Sequence, residues 1–275
     1  MVRLGVILLA IGCMAEAQTL RVMSFNVRYP SKSDGPDLWE VRRDFLVDTL
    51  RKHAPDLIGT QELFHEQGQY IVAKLPDFAW FGVSRRGNKE DEHMGVFYRK
   101  DTLELLSSGN FWLSKTPDVP GSMDWDVTLP RMVTWGEFRH RKTGRRFHLY
   151  NTHFAHRALD ENARVESARV LVDRISKLPP GTDLIVTGDF NTDVGSEPHN
   201  LLRTMLADAH EQASEKKGPT GSFHGFKGTP GSARIDWILF RGRMKPRFMH
   251  TLTDNREGRY PSDHFPVLAG FDLQP

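Results

Sequence analysis

Asp183-Leu184-Ile185-Val186-Thr187-Gly188-Asp189-Phe190-Asn191 is the stretch that decides how this chain is read. It opens as a short run of β-branched and aliphatic residues, the pattern of a strand buried on both faces. A glycine then allows a tight turn, and an acid and an amide follow, two residues apart. At a strand end, an Asp-x-Asn pair points two oxygen-bearing side chains the same way. Such a pair can bind a hard cation, hold a water or steady a phosphate. Gly, Asp and Asn also end strands for turn chemistry alone, so the reading depends on what else converges there.

Upstream of it, residues 20–27 read as a strand and 39–52 as a helix, with Val41, Phe45, Leu46 and Leu50 at helical spacing. Residues 57–62 form a second short apolar run with a polar end. This strand–helix–strand order predicts adjacent parallel strands joined by a right-handed crossover. The middle is richer in β structure, with strands expected at 94–99 and 103–107 and a hairpin of 133–139 and 146–151 around Lys142-Thr143-Gly144. Residues 111–131 read as a long loop carrying Trp112 and Trp125, which either pack the loop or wall a pocket.

Downstream, residues 160–178 give the clearest helix, with Val165, Ala168, Val172 and Ile175 in one stripe. A helix around 199–206, a loop at 214–232, a strand at 235–240 and a last strand at 267–271 complete the pattern. A basic stretch at 241–247 is expected outside the strands. Strands alternating with helices indicate one α/β domain.

A length of 275 residues with 39% hydrophobic and 26% charged residues is ordinary for a globular chain. The net charge of +2 is too weak to mark a nucleic-acid binder and does not forbid one. Residues 1–17, with a basic start, an apolar centre and Ala15-Glu16-Ala17, read as a secretory signal peptide, leaving 18–275 as the domain. That reading expects a secreted or periplasmic protein without cysteine. In the minority alternative, Ala10-Ile11-Gly12-Cys13 is a weak lipobox and Cys13 a lipid anchor. The clusters at 139–146 and 241–247 read as solvated hairpin and loop surfaces rather than a nucleic-acid track.

Polar residues recur at the ends of the predicted strands: Asn26, Glu62, His153, Asp189 with Asn191, and Asp263 with His264. Asp236 interrupts an otherwise apolar strand. Each has a structural reading: Asn26 as a turn residue, Glu62 as a helix-start acid, His153 as a core histidine. In α/β sheets, however, sites form outside the carboxyl ends of strands, so these residues can meet. The set offers oxygen ligands and two histidines, without a cysteine ligand or a nucleophile motif.

Ser24-Phe25-Asn26-Val27, Gln61-Glu62, Asn151-Thr152-His153-Phe154, Gly188-Asp189-Phe190-Asn191, Arg234-Ile235-Asp236-Trp237-Ile238 and Ser262-Asp263-His264 occur in this order. Together they resemble the endonuclease/exonuclease/phosphatase superfamily, over nearly the whole chain after residue 20. The resemblance implies a deoxyribonuclease I-like four-layer α/β sandwich, two packed mixed β-sheets flanked by helices. It also implies hydrolysis of a phosphate ester by in-line attack of water with Mg²⁺ or Mn²⁺ as cofactor. Glu62 matches the principal metal ligand, with Asn26 and Asp263 nearby. His264 matches a histidine acting as general base or electrostatic partner, and Asp236 the acid that orients it. Asp189 matches the residue that positions or deprotonates the attacking water, and Asn191 its neighbour that steadies water and phosphate. His153 matches the second histidine of the deoxyribonuclease-like branch, with Glu92 as its expected partner. Arg131 fits a phosphate-clamping arginine.

The sequence departs from abasic-site endonucleases at Asn151-Thr152-His153, and a cysteine-free mature chain cannot form the disulfides of pancreatic-type enzymes. The 111–131 region is similar to that of small secreted bacterial members. The first expectation is therefore a secreted phosphodiesterase, with nucleic acid or a nucleotide-like diester as substrate. The alternatives are a phosphomonoesterase on sugar or inositol phosphates, a phospholipid phosphodiesterase, or a binding protein that has lost the chemistry. A monomer without stable membrane insertion is expected.

Overall fold

Short apolar runs separated by polar turns build two sheets, and the computed structural model describes them within residues 18–273. In chain order the strands are β1 (Gln18–Asn26), β2 (Leu57–Gln61), β3 (Phe78–Phe81), β4 (Val96–Arg99), β5 (Leu103–Trp112), β6 (Met132–His140), β7 (Arg146–His153), β8 (Leu184–Asp189), β9 (Ala207–Asp208), β10 (Glu215–Lys217), β11 (Asp236–Arg241), β12 (Lys245–Thr251) and β13 (Val267–Leu273). The α-helices are α1 (Trp39–His53), α2 (His65–Lys74), α3 (Glu161–Ser176), α4 (Glu197–Arg203) and α5 (Ala209–Gln212). One sheet has the order β10-β12-β13-β1-β2-β4-β3 and the other β5-β6-β7-β8-β11-β9. Both are mixed: β1 and β2 are parallel, as are β7 and β8, while β13 and β11 run against β1 and β8.

Side chains alternate across each strand, so every central strand feeds two layers. Leu20, Val22, Phe138, Ile185, Ile238 and Phe271 fill the space between the sheets. The opposite face of the first sheet, with Met23, Phe25, Ile58 and Phe97, packs on Leu46 and Leu50 of α1 and Ile71 of α2. Tyr150, Val186 and Trp237 of the second sheet pack on Ala168, Leu171 and Ile175 of α3 and Leu202 of α4. Each fully buried large apolar side chain contributes about 1.5–3 kcal/mol. The architecture is the expected four-layer α/β sandwich.

A polar network replaces the apolar layer near one end of the sheets. Asn151 Nδ2 donates to the Thr60 carbonyl at 2.7 Å, and Asn151 Oδ1 accepts from Gln61 Nε2 at 2.8 Å and Thr187 Oγ1 at 3.0 Å. Three strands, β2, β7 and β8, are therefore joined across the two sheets by one side chain. Gly59 makes the close approach possible, since a Cβ there would lie 2.1 Å from Thr187 Oγ1.

Several local expectations are corrected. Gly188 lies inside β8 rather than in a turn, and a Cβ there would meet the Thr152 side chain and carbonyl at 2.8 Å. Val41 is 64% exposed while Arg42 is buried, donating to the carbonyls of Val27, Arg28 and Pro261. Leu171, not Val172, completes the buried stripe of α3. The strand expected at 103–107 runs on through Trp112, shortening the loop after it. The basic stretch at 241–247 contains the start of β12, and the helix α2 and strand β3 had no sequence counterpart. The signal-peptide reading and Cys13 lie outside the described residues. Among the described residues, no helix is long and apolar enough to cross a membrane.

Candidate active site

Strand direction gathers the motif residues. The parallel pairs β1/β2 and β7/β8 bring Asn26, Glu62, His153 and Asp189 to one end of the two sheets. Because β11 is antiparallel to β8, its first residue, Asp236, pairs with Asp189. The turn before β13 returns to the same end, where Ser262 Oγ donates to the Asn26 carbonyl at 2.7 Å and sets Asp263 and His264 in place. Arg28, Glu62 and Asn191 follow β1, β2 and β8 in the left-handed region, with φ of 55°, 59° and 50°. Such conformations cost on the order of 1–3 kcal/mol and collect at functional sites.

These elements enclose a cavity of about 670 Å³. Glu62, Glu92, Arg131, His153, Asp189, Asn191, Asp263 and His264 all line it. Of the other two expected site residues, Asp236 stands behind His264, and Asn26 lies between two carboxylates. Asn26 Nδ2 donates to Glu62 Oε1 at 3.1 Å and to Asp189 Oδ2 at 3.0 Å, while its Oδ1 accepts from the Arg28 backbone N–H at 3.0 Å. Its amide therefore bridges the two acids, beside the Glu62 carboxylate.

His264 Nδ1 donates to Asp236 Oδ2 at 2.8 Å, and Ser222 Oγ donates to the same oxygen at 2.5 Å. Burial disfavours the imidazolium, but the charge and hydrogen bond of Asp236, with Asp189 and Asp263 nearby, outweigh it and push His264 up to about 10. His153 behaves oppositely: burial and the neighbouring Arg131 hold it well below its ordinary value, as a neutral ring. Asp189 Oδ2 lies 3.6 Å from His153 Nε2 and 3.8 Å from His264 Nε2, and its Oδ1 accepts from the Asn191 N–H at 3.0 Å. Burial and the nearby Asp236 charge raise Asp189 to about 7. Burial, with Glu62 nearby, also raises Glu92 to about 7. Glu92 stands 3.9 Å from His153 Nδ1, adjacent but beyond hydrogen-bond reach, and its ion pair is with Arg85 Nη1 at 2.9 Å.

Two acidic–histidine clusters have metal-ligand spacing among the described residues. In the first, Asp189, Asp236 and His264, His264 Nδ1 is engaged by Asp236 at 2.8 Å, and the Asp236 charge favours the imidazolium over a free ring nitrogen. In the second, His199, Asp208 and Glu211, the Arg234 guanidinium already takes both Asp208 oxygens, at 3.2 and 2.7 Å. Glu62 and Asp263 fit a hard cation better. Both flank the Arg28 guanidinium at 3.9 Å, and that group spends two of its N–H bonds on Asp34. Burial and the Glu62 charge disfavour ionisation of Asp263, a crowding that a divalent ion would relieve.

Sequence reading missed Arg28, Tyr29, Phe64, Arg85, Leu129, His156 and Phe223 as cavity residues. Arg28, Tyr29, Phe64 and His156 each sit within two residues of a motif, the one signal available. Trp112 is buried with Met94 and Met132, and its Nε1 donates to the Arg85 carbonyl at 2.6 Å. Neither it nor Trp125 lines the cavity, so both pack or edge the loop.

Two face-to-face mixed sheets with this acid–imidazole end define a class of α/β hydrolases. The chain belongs to the Endonuclease/Exonuclease/phosphatase family, which matches residues 23–264. Members of that family hydrolyse phosphoester bonds and depend on a divalent metal. A family protein from Bacteroides thetaiotaomicron is 33% identical with a TM-score of 0.89, covering 94% of this chain and 100% of that one. A mannosyl-6-phosphatase of the same organism is 34% identical with a TM-score of 0.87, covering 92% of this chain and 100% of that one. Among curated proteins, nocturnin of Drosophila melanogaster is 22% identical over 86% of this chain and 42% of its own length. The chain spans about half the length of the curated relatives it matches.

Proposed function

We propose that this protein is a divalent-metal-dependent phosphoesterase acting on small phosphorylated molecules, with a terminal phosphate monoester as its first substrate class. The observation that carries the reading is the cavity: concave, about 670 Å³, and lined by three arginines and three histidines around the acids. That size and shape suit a small ligand, and the cations suit a dianionic phosphate. The basic clusters point the same way. Residues 139–146 form the turn at the other end of β6 and β7 from His153, and Arg241 ends β11 far from Asp236. Neither extends the cavity into a track for a nucleic-acid chain. The mannosyl-6-phosphatase relative adds support for a sugar phosphate.

Glu62 and Asp263 would hold the ion, with Asn26 fixing the Glu62 carboxylate; Mg²⁺ or Mn²⁺ suits such hard oxygens. The ion would polarise a phosphoryl oxygen when bound. Asp189, with its raised proton affinity and its fixed Oδ1, receives the proton of the attacking water as Asn191 steadies that water. His264, charged and anchored by Asp236, offsets the negative charge that builds on the phosphoryl group. Arg131 lines the same cavity and adds its positive charge, and neutral His153 borders Asp189. A secreted or periplasmic location is part of the proposal, and rests on the first residues alone.

The test is a parallel hydrolysis screen with Mg²⁺ and Mn²⁺ on mannose 6-phosphate, p-nitrophenyl phosphate, bis-p-nitrophenyl phosphate, DNA and RNA. Phosphate release from the monoesters, abolished in Glu62→Gln, is expected. The second reading, a phosphodiesterase, is favoured by the acid–histidine neighbours Glu92 and His153. Cleavage confined to the diester lanes would replace the first reading with it.

A further inference from the structure

Arg131 and His156 meet in a way the chemistry above does not use. Arg131 is buried just before β6, and its Nη2 donates to His156 Nδ1 at 2.9 Å. A guanidinium has five N–H donors and no acceptor. The ring nitrogen that faces it must therefore carry a lone pair, so His156 is neutral with its proton on Nε2. Burial and the Arg131 charge both hold the ring below its ordinary proton affinity, in keeping with that contact. Arg131 Nε and Nη1 are buried and have no hydrogen-bond partner among the described residues. Both side chains line the cavity.

The backbone under His156 is fixed although the residue is partly open to solvent. Phe154 N donates to the Asp189 carbonyl at 2.9 Å, and Asn191 Nδ2 donates to the Phe154 carbonyl at 3.1 Å. Arg164 Nη1 donates to the carbonyls of Ala155 and Arg157, at 3.0 and 2.9 Å. Unpartnered buried N–H groups cost free energy unless a ligand completes them. A cluster that only donates matches a group that only accepts.

We propose that His156 is a substrate-binding residue: its Nε2–H, set by the Arg131 contact and backed by that guanidinium's positive charge, donates to a non-bridging oxygen of the phosphoryl group. This inference rests on reading the cavity as a phosphoester site. The bland alternative is a tether, in which the Arg131 bond only ties the loop after β7 to β6.

Two substitutions separate the roles. His156→Asn keeps an acceptor near Nδ1 for Arg131 and removes the Nε2–H. His156→Gln keeps a donor near Nε2 and removes that acceptor. Inorganic phosphate binding by calorimetry, steady-state kinetics on p-nitrophenyl phosphate and thermal melting would be measured on the metal-loaded full chain. The proposal expects His156→Asn to weaken phosphate about tenfold, the size of one hydrogen bond. KM should rise by a similar factor with kcat nearly unchanged, and His156→Gln should recover most of the affinity. Imidazole ¹⁵N shifts should show a neutral, Nε2-protonated His156 at pH 7. Recovery by Asn rather than Gln, or a doubly protonated ring, would overturn it and leave the tether. Wild-type protein that turns over phosphate esters while His156→Asn matches it in affinity and KM would overturn this inference alone. Wild-type protein that neither binds phosphate nor hydrolyses any ester would overturn the phosphoesterase reading, and this one with it.

Discussion

Replacing Asn151 by alanine should damage stability more than its distance from the cavity implies. The side chain is fully buried between the sheets and makes four hydrogen bonds, to the carbonyls of Thr60 and Gly95 and from Gln61 Nε2 and Thr187 Oγ1. The losses are unequal. Gly95 O still accepts from Thr60 N and Oγ1, at 2.8 and 2.9 Å, so it stays satisfied. Gln61 Nε2 keeps only longer contacts, at 3.3 and 3.4 Å, with Ser24 Oγ and the Gly59 carbonyl. The Thr187 hydroxyl loses the acceptor it donates to. The Thr60 carbonyl loses the 2.7 Å bond from Asn151, and Gln61 Nε2 and the Thr187 hydroxyl lose their best partner, at about 1–3 kcal/mol each for the last two, with a small cavity adding to that. The expected loss is about 3–5 kcal/mol. Equilibrium urea unfolding followed by tryptophan fluorescence would show it as a fall in midpoint at unchanged slope. Pairing Asn151→Leu with Thr187→Val should cost less than the sum of the two single changes, because donor and acceptor leave together. A loss below about 1 kcal/mol for Asn151→Ala would refute the idea that this network joins the sheets.

Three further outcomes follow from the same structure. Asp208 is buried against Arg234 and His199; burial alone would raise its proton affinity, but their hydrogen bonds and the Arg234 charge hold it below the ordinary 3.8. The native state therefore binds fewer protons at this group than the unfolded chain, so its stabilisation is complete above that value and fades as pH falls through the native one. Asp208→Asn should cost about 3–5 kcal/mol at pH 7, by chemical unfolding, with the gap to wild type narrowing below pH 3.8. Gly59→Ala forces a Cβ to within 2.1 Å of Thr187 Oγ1 and 2.5 Å of Asn151 Oδ1, so its melting temperature should fall or its soluble yield collapse. Mg²⁺ or Mn²⁺ at 100 times its dissociation constant should stabilise the wild type by about 2.7 kcal/mol in thermal melts. Glu62→Gln should lose most of that shift.

Much of this was legible because the site lies where strands stop. Asn26, Glu62, His153 and Asp189 each end an apolar run, so pattern and chemistry could be read together. Asp236 stood out as an acid in an apolar strand, and its pairing with Asp189 explains why. What escaped depends on contacts distant in sequence. Arg85 and His156 sit in polar loops, and only the folded chain shows that they face one cavity with Arg131. Arg42 follows Val41 with nothing in the sequence to mark it, yet its guanidinium donates to the carbonyls of Val27, Arg28, Asp37 and Pro261. The strand β12 was hidden because Lys245 and Arg247 are exposed at its start, and an irregularity in its pairing between Pro246 and Phe248 breaks the alternation, so that it looked like a charge cluster. Helix α2 carries Gly68 in its interior, where a Cβ would lie 2.6 Å from the Trp80 ring, so glycine serves packing there.

The central claim is that the acids at this end of the sheets, with a divalent ion, hydrolyse phosphate esters. The most direct measurement is turnover of p-nitrophenyl phosphate by protein stripped with EDTA and then returned to Mg²⁺ or Mn²⁺, beside Asp189→Asn under the same conditions. Activity should be lost on stripping, restored by the metal, and reduced about 10²–10⁴-fold in Asp189→Asn. Turnover that survives stripping, or an Asp189→Asn variant as fast as wild type, would contradict the claim.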